Sequence, residues 1–303
     1  MFGKSFNPAK DIKPLDGKVI IITGGNTGLG KETVLQLAKH NPREIFLAAR
    51  TPSKAEAAID EIKQLVPGAS VSYLKLDLTS FQSIKDAAKE FTTRSDRLDI
   101  LINNAGIMMT PYSKTKEGYE IQFGTNHVGH ALFTKLLLPT LLKTAELPSA
   151  DVRVVNVSSA GHMFSPRLVY DQDRLERYHT ARRYGQSKLA NIYHARELQR
   201  RYPSITAAAI HPGVIVTDLY LPAGKSILFS KFIFKLMAFF TPNVQGGARN
   251  QLWAATGPLD KVRAGYYFTP VGSQSGGSFW YGRNAKMAEQ LWDWTEEQIK
   301  KHE

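Results

Sequence analysis

A tyrosine and a lysine in the run YGQSK are the residues whose types and spacing best suit proton transfer. Tyr184 and Lys188 are four residues apart and would share one face of a helix. An isolated tyrosine loses its proton at about pH 10, and a neighbouring ammonium lowers the pKa of the hydroxyl by stabilising the phenolate. Tyr184 would then serve as a general acid or base near neutral pH. The same spacing is common on exposed helix faces, so its meaning depends on the rest of the chain.

Two serines, Ser158 and Ser159, follow VRVVNV, an apolar run typical of a strand buried on both faces. A hydroxyl at such a strand end would hydrogen-bond a substrate carbonyl; the alternative is a turn or N-cap serine. No G-x-S-x-G elbow surrounds these serines, so a Ser-His-Asp triad is not favoured. His162 and His211 lack carboxylates at metal-ligand spacing, so we predict no metal. His211 precedes Pro-Gly, which favours a packing role.

The elements that must position these residues follow an alternating pattern from Lys18 to about Ile210. Short β-branched runs predict strands, and the segments between them predict helices. The predicted strands are KVIIIT, EIFLAA, VSYLKL, LDILIN, VRVVNV and SITAAAI. The predicted helices are 28–40, 52–66, 80–94, 122–145 and 184–202. A seventh strand is predicted at 265–268 and a last helix at about 284–301.

This alternation predicts the α/β class: one Rossmann-type, doubly wound parallel sheet of about seven strands with helices on both faces. The 303 residues are enough for two average domains, but one domain spanning 1–303 is favoured because no low-complexity linker or internal repeat occurs. Residues 1–17 are expected to form an N-terminal extension. They have no apolar core, so they do not resemble a signal peptide.

A glycine-rich turn follows the first predicted strand and leads into a helix. In this context glycines let the backbone approach a pyrophosphate, and the helix N-terminus offers N–H groups and the positive end of its dipole. The spacing differs from G-x-G-x-x-G, and a plain strand-to-helix turn is the alternative. We predict that this turn binds the phosphates of a nucleotide through Gly24, Asn26, Thr27, Gly28, Leu29 and Gly30.

Arg50 ends the second predicted strand, twenty residues after Gly30. A carboxylate near this position would hold the 2′-hydroxyl of NAD, whereas an arginine binds the 2′-phosphate of NADP. The sequence therefore favours NADP(H) over NAD(H). A surface arginine without such a role is the alternative.

Polar and small residues also follow the third and fourth predicted strands. Asp77, followed by Leu78, would accept a hydrogen bond from an adenine amino group, or would cap a helix starting near Thr79 or Ser80. After the fourth strand, small residues would allow close approach to a flat ring and an asparagine would supply hydrogen bonds, with a simple turn as the alternative. These residues are Asn104, Ala105 and Gly106.

TGGNTGLG, NNAG, Ser159 and YGQSK occur in this order, and together they resemble the short-chain dehydrogenase/reductase family over roughly 18–218. YGQSKLANI is similar to the retinol-dehydrogenase group, which includes the WW-domain oxidoreductases. The interval of 184 − 159 = 25 residues between serine and tyrosine is similar to that group. The opening MFGKSFNPAKDI resembles fungal members.

The resemblance implies a role for each matching residue. Tyr184 exchanges a proton with the substrate oxygen, Lys188 lowers the pKa of the tyrosine and binds ribose, and Ser159 orients the substrate oxygen. Asn126, in TNHVGHALFT, holds a water of a proton relay. The segment from Pro212 to Thr217 closes over the nicotinamide, with contacts from Pro212, Gly213, Ile215 and Thr217. The helices near Asn126 and Tyr184 often form dimer contacts in this family, so a homodimer is an expectation.

A strongly apolar segment, 226–240, lies where this family builds a substrate lid, about 213–243. Its large side chains would line a pocket for a lipophilic substrate, and the candidate contacts are Phe229, Phe232, Ile233 and Leu236. Weak docking on a membrane surface through lysines in this segment, and plain core packing, are the alternatives. No run of eighteen uncharged apolar residues occurs, so we predict no transmembrane span.

The net charge of +12 favours anionic partners such as a nucleotide. Lysine and arginine are spread along the chain, which argues against nucleic-acid binding. The absence of cysteine excludes disulfides, cysteine-ligated zinc and cysteine nucleophiles. We expect a cytoplasmic protein, with a membrane surface or lipid droplet as the alternative location.

The sequence thus favours an NADP(H)-dependent enzyme that interconverts a carbonyl and an alcohol on a lipophilic substrate, acting as a ketone or aldehyde reductase. Reduction is favoured because cells usually keep the NADP pool reduced. The alternatives are a non-catalytic NADP(H) sensor or scaffold on the same fold and a protein that acts mainly at lipid surfaces.

Overall fold

The structure, a computed structural model, describes residues 6–213, 244–277 and 281–302. Several predicted site residues fall outside these ranges: Ile215, Thr217, Phe229, Phe232, Ile233 and Leu236. The same holds for the predicted lid beyond Gly213. In the part of the chain that is described, no helix is long and apolar enough to cross a membrane.

One sheet of eight strands forms the centre of the fold, in the order β3-β2-β1-β4-β5-β6-β7-β8. Neighbouring strands from β3 to β7 are parallel, and β8 returns antiparallel to β7. The predicted doubly wound sheet is therefore confirmed, with one short edge strand more than expected. The strands are β1 Val19–Thr23, β2 Glu44–Ala49, β3 Val71–Lys75, β4 Ile100–Asn103, β5 Arg153–Val157, β6 Thr206–Ile210, β7 Tyr267–Thr269 and β8 Ser273–Gln274.

Helices cover both faces of this sheet. Their bounds are α1 Pro8–Asp11, α2 Gly28–Ala38, α3 Pro52–Leu65, α4 Phe81–Arg94, α5 Ile121–Phe123, α6 Gly129–Ala145, α7 Thr180–Arg201, α8 Val244–Thr256, α9 Leu259–Arg263 and α10 Ala285–Lys300. Short 3₁₀ turns lie at Ala160–Phe164, Arg174–Arg177 and Tyr281–Arg283.

Alternating strand residues supply the two cores. In β1, Ile21 packs with α4, α6, α7 and α10 on one face, whereas Ile20 and Ile22 pack with α2, α3 and α8 on the other. All of β1 is buried, which explains why its sequence is apolar without alternation. The predicted N-terminal extension contributes to the second core, because Phe6 and Leu15 are buried in it.

The largest departures from the predicted helices concern α7 and the segment before α6. Helix α7 begins at Thr180 rather than Tyr184, with His179 as its N-cap, so Tyr184 lies more than one turn inside the helix. The predicted helix 122–145 is interrupted by a π-helical segment at Gly124–Val128, between α5 and α6. That segment carries Asn126.

The strand order opens a crevice between β1 and β4. The chain leaves β1 toward β2 and β3 on one side, and continues through β4, β5 and β6 on the other. Connections that diverge at such a point leave space above the carboxyl ends of the two strands, where ligands bind in sheets of this type. The glycine turn, the residues after β4 and the serines after β5 all lie at this edge.

Candidate active site

A groove of about 500 Å³ runs along the carboxyl edge of the sheet. It gathers the loops that follow β1, β2, β3 and β4. Its lining includes the predicted nucleotide contacts of those loops: Gly24, Asn26, Thr27, Gly28, Leu29, Gly30, Arg50, Asp77, Leu78, Asn104, Ala105 and Gly106. Residues chosen from four separate parts of the sequence thus share one groove.

The glycine turn is tight enough to exclude side chains. Gly24 has φ +65, in the left-handed region that glycine favours. A Cβ atom on Gly30 would lie 2.2 Å from the carbonyl oxygen of Gly24. The Thr27 side chain makes no capping hydrogen bond at the start of α2, so it leaves the first-turn N–H groups to another acceptor. A bare backbone at a helix N-terminus fits the phosphates of a nucleotide cofactor.

The Thr23 hydroxyl fixes this turn to the end of β4. Its oxygen accepts hydrogen bonds from the backbone N–H groups of Asn104 at 3.0 Å and Ala105 at 2.9 Å. The Asn104 side-chain amide in turn donates to the carbonyl of Thr23 at 2.8 Å. Asn104 therefore shapes the groove through contacts within the protein. Thr23 was not among the predicted site residues, since a threonine closing a strand carries no distinctive pattern.

Asp77 stabilises the loop after β3. Its Oδ1 atom accepts from the backbone N–H of Thr79 at 2.9 Å and from the Thr79 hydroxyl at 2.7 Å. Ser80, not Asp77, is the N-cap residue of α4. The alternative in which Asp77 caps that helix is therefore wrong, and Asp77 lines the groove.

Two cations lie together at the end of the groove beyond β2. Arg50 is exposed, and Lys54, in the first turn of α3, also lines the groove. Sequence reasoning singled out Arg50 and missed Lys54. The usable signal was the position of Lys54 in the first turn of the helix predicted at 52–66, close to Arg50 in the chain.

Lys188 is buried in α7 near the inner end of the groove. Its ammonium donates to the carbonyl of Val157 at 3.0 Å and lies 5.7 Å from the centre of the Tyr184 ring. Burial lowers the pKa of Lys188 to about 8. A Cβ atom on Gly106, which lines the groove, would lie 3.4 Å from this ammonium. Because Gly106 has no side chain, the Lys188 ammonium lies close behind the wall of the groove.

The Ser159 hydroxyl and the Tyr184 ring both lie beside Gly161. A Cβ atom on Gly161 would lie 2.7 Å from Cε1 of Tyr184 and 3.4 Å from the Ser159 hydroxyl. The Ser159 hydroxyl accepts from the backbone N–H of Gly161 at 3.0 Å and is only half-buried. Gly161 was also missed, because nothing in the sequence marks it as the point of contact.

Ser158, the neighbouring serine, has a structural role. The Ser158 hydroxyl is buried and donates to the backbone carbonyl of Lys188 at 2.7 Å. It thereby fixes β5 to α7 below the catalytic candidates. Ser159 is consequently the serine whose position beside Tyr184 suits a substrate oxygen.

Asn126 is fully buried within the π-helical segment. Its side chain accepts from the N–H of Ile107 at 2.8 Å, and donates to the Ile107 carbonyl at 2.9 Å and the Ser187 hydroxyl at 3.0 Å. It therefore joins the loop after β4 to the helix that carries Tyr184. The side chain of Asn126 is thus engaged by groups of the protein, and its predicted water-holding role stays a prediction.

Pro212 and Gly213 follow β6 at the same edge of the sheet, one strand beyond Ser159. Gly213 has φ +98 and donates its N–H to the His211 ring at 3.4 Å. Burial lowers the pKa of His211 to about 4, and its carbonyl accepts from Asn250 at 2.7 Å. Within the described ranges, no cluster of three or more acidic or histidine side chains is arranged to hold a metal ion.

Comparisons with known proteins decide the family. The sequence profile of the family described as short chain dehydrogenase matches residues 18–225. The chain belongs to the short-chain dehydrogenase/reductase family. It is 41% identical to the short-chain dehydrogenase/reductase drtF of Aspergillus calidoustus, over 95% of this chain and 96% of that protein. Membership implies an oxidoreductase that binds a nicotinamide cofactor.

Two further similarities narrow the relationship. Mouse retinol dehydrogenase 12 is 40% identical over 92% of this chain and 85% of its own length. A crystal structure from Mycobacterium paratuberculosis is 32% identical and superposes with a TM-score of 0.75, covering 98% of both chains. The predicted likeness to retinol dehydrogenases and to fungal members of the family is thus confirmed.

We expect Gly30→Ala to weaken binding of the nicotinamide cofactor by about tenfold or more, because the new methyl group must displace the Gly24 carbonyl. Fluorescence titration with NADPH measures this. Gly68→Ala is the matched control: it has φ +84 and no atom within 4 Å of the added carbon, so it should lose some stability and keep its affinity. Unchanged affinity in Gly30→Ala would contradict the assigned turn.

We expect Lys188→Met to be more stable than the wild type at pH 7 without cofactor. Lowering the lysine pKa from 10.5 to about 8 corresponds to a burial cost of about 3 kcal/mol. After loss of the bond to Val157, we expect the free energy of unfolding to rise by about 1 to 2 kcal/mol. Urea unfolding measures this, with exposed Lys63→Met as the control. A less stable Lys188→Met variant would show that the hydrogen bond outweighs the burial cost.

Proposed function

We propose that the protein is an NADP(H)-dependent oxidoreductase that transfers a hydride between the nicotinamide and a carbonyl or alcohol group of a lipophilic substrate, acting as a ketone or aldehyde reductase. One observation carries this proposal. The Ser159 hydroxyl and the Tyr184 ring flank Gly161, and the Lys188 ammonium adjoins Gly106, which lines the nucleotide-sized groove. This arrangement supports a proton donor, a cation and a cofactor that meet at one edge of the sheet.

Reduction of a carbonyl needs a hydride at carbon and a proton at oxygen. When bound, the cofactor supplies the hydride. Tyr184 donates its phenolic proton to the carbonyl oxygen, and Ser159 donates a hydrogen bond to the same oxygen as negative charge develops on it. The product is an alcohol, and Tyr184 is left as a phenolate that must regain a proton from solvent.

Lys188 stabilises that phenolate. Its pKa of about 8 keeps the ammonium protonated at neutral pH. Because the group is buried, water screens its charge less than it would at the surface, so its effect on the neighbouring hydroxyl is strong. The Val157 carbonyl orients the ammonium by accepting one of its three hydrogens.

The preference for NADP(H) is supported by charge at the outer end of the groove. Arg50 and Lys54 both line it, and Ala49 stands immediately before the arginine where a carboxylate would favour NAD. Two cations suit the extra 2′-phosphate of NADP.

The lipophilic substrate is supported by the sequence and by exposed apolar side chains. Met163 and Phe164 are 44% and 60% exposed, in the 3₁₀ turn that begins directly after Ser159. The strongly apolar segment 226–240 and the kinship with a protein named retinol dehydrogenase support the same class.

The decisive experiment is NADPH oxidation with a panel of carbonyls, from small aldehydes to retinal and aromatic diketones. We expect turnover that rises with substrate size and apolarity and falls by roughly a thousandfold or more in Tyr184→Phe, because the proton donor is removed. Tyr178→Phe is the matched control, since that ring stacks on Arg182 outside the site.

The outcomes separate the candidate functions. Equal loss in both tyrosine variants would argue against Tyr184 as the proton donor, and best activity on small polar carbonyls would refute a lipophilic substrate. Tight NADPH binding without turnover of any carbonyl would favour the cofactor-sensor alternative.

We expect Arg50→Ala and Lys54→Ala each to raise the dissociation constant for NADPH by about tenfold and to leave that for NADH unchanged, because each removes a charged hydrogen bond to phosphate. Titration with both cofactors measures this. Lys63→Ala, on the exposed face of the same helix α3, is the control. An equal effect on both cofactors would remove the basis for NADP preference.

A further inference from the structure

A buried histidine lies between the end of β1, where the glycine turn begins, and the π-helical segment. His130, in the first turn of α6, is only 2% exposed. Its Nδ1 atom lies 3.0 Å from the main-chain oxygen of Asn126, and its Nε2 atom lies 2.8 Å from the Thr23 hydroxyl. The two ring nitrogens therefore contact two different parts of the site.

The contacts determine which nitrogen carries the proton. A carbonyl oxygen only accepts, so Nδ1 must donate to Asn126. In the neutral ring Nε2 must then accept, and the Thr23 hydroxyl is its donor. Thr23 is able to donate, because its oxygen already accepts from the N–H groups of Asn104 and Ala105. Burial, with a smaller effect of the Lys188 charge, lowers the pKa of His130 to about 4, which agrees with a neutral ring.

Each end of this arrangement bears on the reaction. Thr23 ends β1 and holds the backbone of Asn104 and Ala105, which line the cofactor groove. Asn126 binds both backbone groups of Ile107 and the hydroxyl of Ser187, one residue before Lys188. A shift of the histidine ring would therefore change the position of the groove wall relative to the catalytic helix.

We propose that His130 is a positioning residue. Its neutral imidazole holds the glycine turn, at the end of β1, at a fixed distance from the π-helical segment that carries Asn126. The inference rests on the proposed function for its effect on turnover. It assigns no proton transfer to the histidine. It requires one donor and one acceptor on a rigid ring, and among the protein side chains only neutral imidazole supplies both in this geometry.

Three substitutions separate the two contacts. His130→Phe retains a ring and removes both. His130→Asn places an amide where Nδ1 was and keeps a donor for the Asn126 carbonyl, whereas His130→Gln reaches the former position of Nε2 and keeps a partner for Thr23. His194→Phe is the matched control, because His194 is also buried and its ring contacts the side chain of Asn156 in β5 rather than Thr23 or Asn126.

For His130→Phe we expect kcat to fall by roughly tenfold to a hundredfold, because small misplacements of reacting groups reduce rates by such factors. We also expect a several-fold rise in the NADPH dissociation constant. His130→Gln should restore mainly the NADPH affinity, and His130→Asn should restore mainly kcat. His194→Phe should lose comparable thermal stability and keep kcat within about twofold.

Two results would overturn the proposal. One is a His130→Phe variant that loses stability as His194→Phe does and keeps both kcat and NADPH affinity. The other is that His130→Gln fails to restore the NADPH affinity and His130→Asn fails to restore kcat.

A third measurement needs neither turnover nor a variant. Imidazole ¹H–¹⁵N spectra of the wild-type protein should show His130 as the neutral Nδ1–H form at pH 7, and a Nε2–H form would overturn the assignment. Wild-type protein without reductase activity would refute the proposed function alone, because NADPH affinity and the imidazole spectrum would still test the role of His130.

Discussion

The parallel pairing of β1 with β4 is the constraint on which the site depends. Ile22 lies opposite Ile102 in this pairing, so the two strands end side by side although about eighty residues separate them. The chain then diverges to opposite sides of the sheet and leaves the space that becomes the groove. Thr23 secures the junction, because its hydroxyl binds the backbone just after β4. The predicted nucleotide contacts of the glycine turn and of the loop after β4 are joined by this junction.

The layer between the sheet and helices α6 and α7 is unusually polar for a core. Asn103 donates to Thr134 and Asn156, and Asn156 contacts the ring of His194. Burial lowers the pKa of His194 to about 3, so that ring is neutral. Buried amides and neutral rings are directional, and they are costly only when left unpaired. A layer of this kind fixes the register between helix and strand more narrowly than apolar packing does.

The sequence was sufficient for features that depend on local pattern. Continuous apolar runs predict strands buried on both faces, and the glycines before α2 predict a close backbone approach; the structure contains both. The sequence was insufficient for features that depend on contacts between distant parts of the chain. The π-helical segment arises where Asn126 must reach Ile107, and Ser158 and Ser159 differ only in what each hydroxyl meets. Gly161 acquires its meaning from the Tyr184 ring, which α7 brings against it.

The same physical property makes Lys188 costly for folding and suited to its proposed reaction. Burial disfavours its charge, which is why its pKa falls to about 8. The same lack of water strengthens the field that the ammonium exerts on Tyr184. A surface lysine would cost less and would also stabilise a phenolate less. The Val157 carbonyl and the absence of a side chain at Gly106 let the charge remain buried and yet adjoin the groove. Stability and catalytic competence therefore oppose one another at this residue.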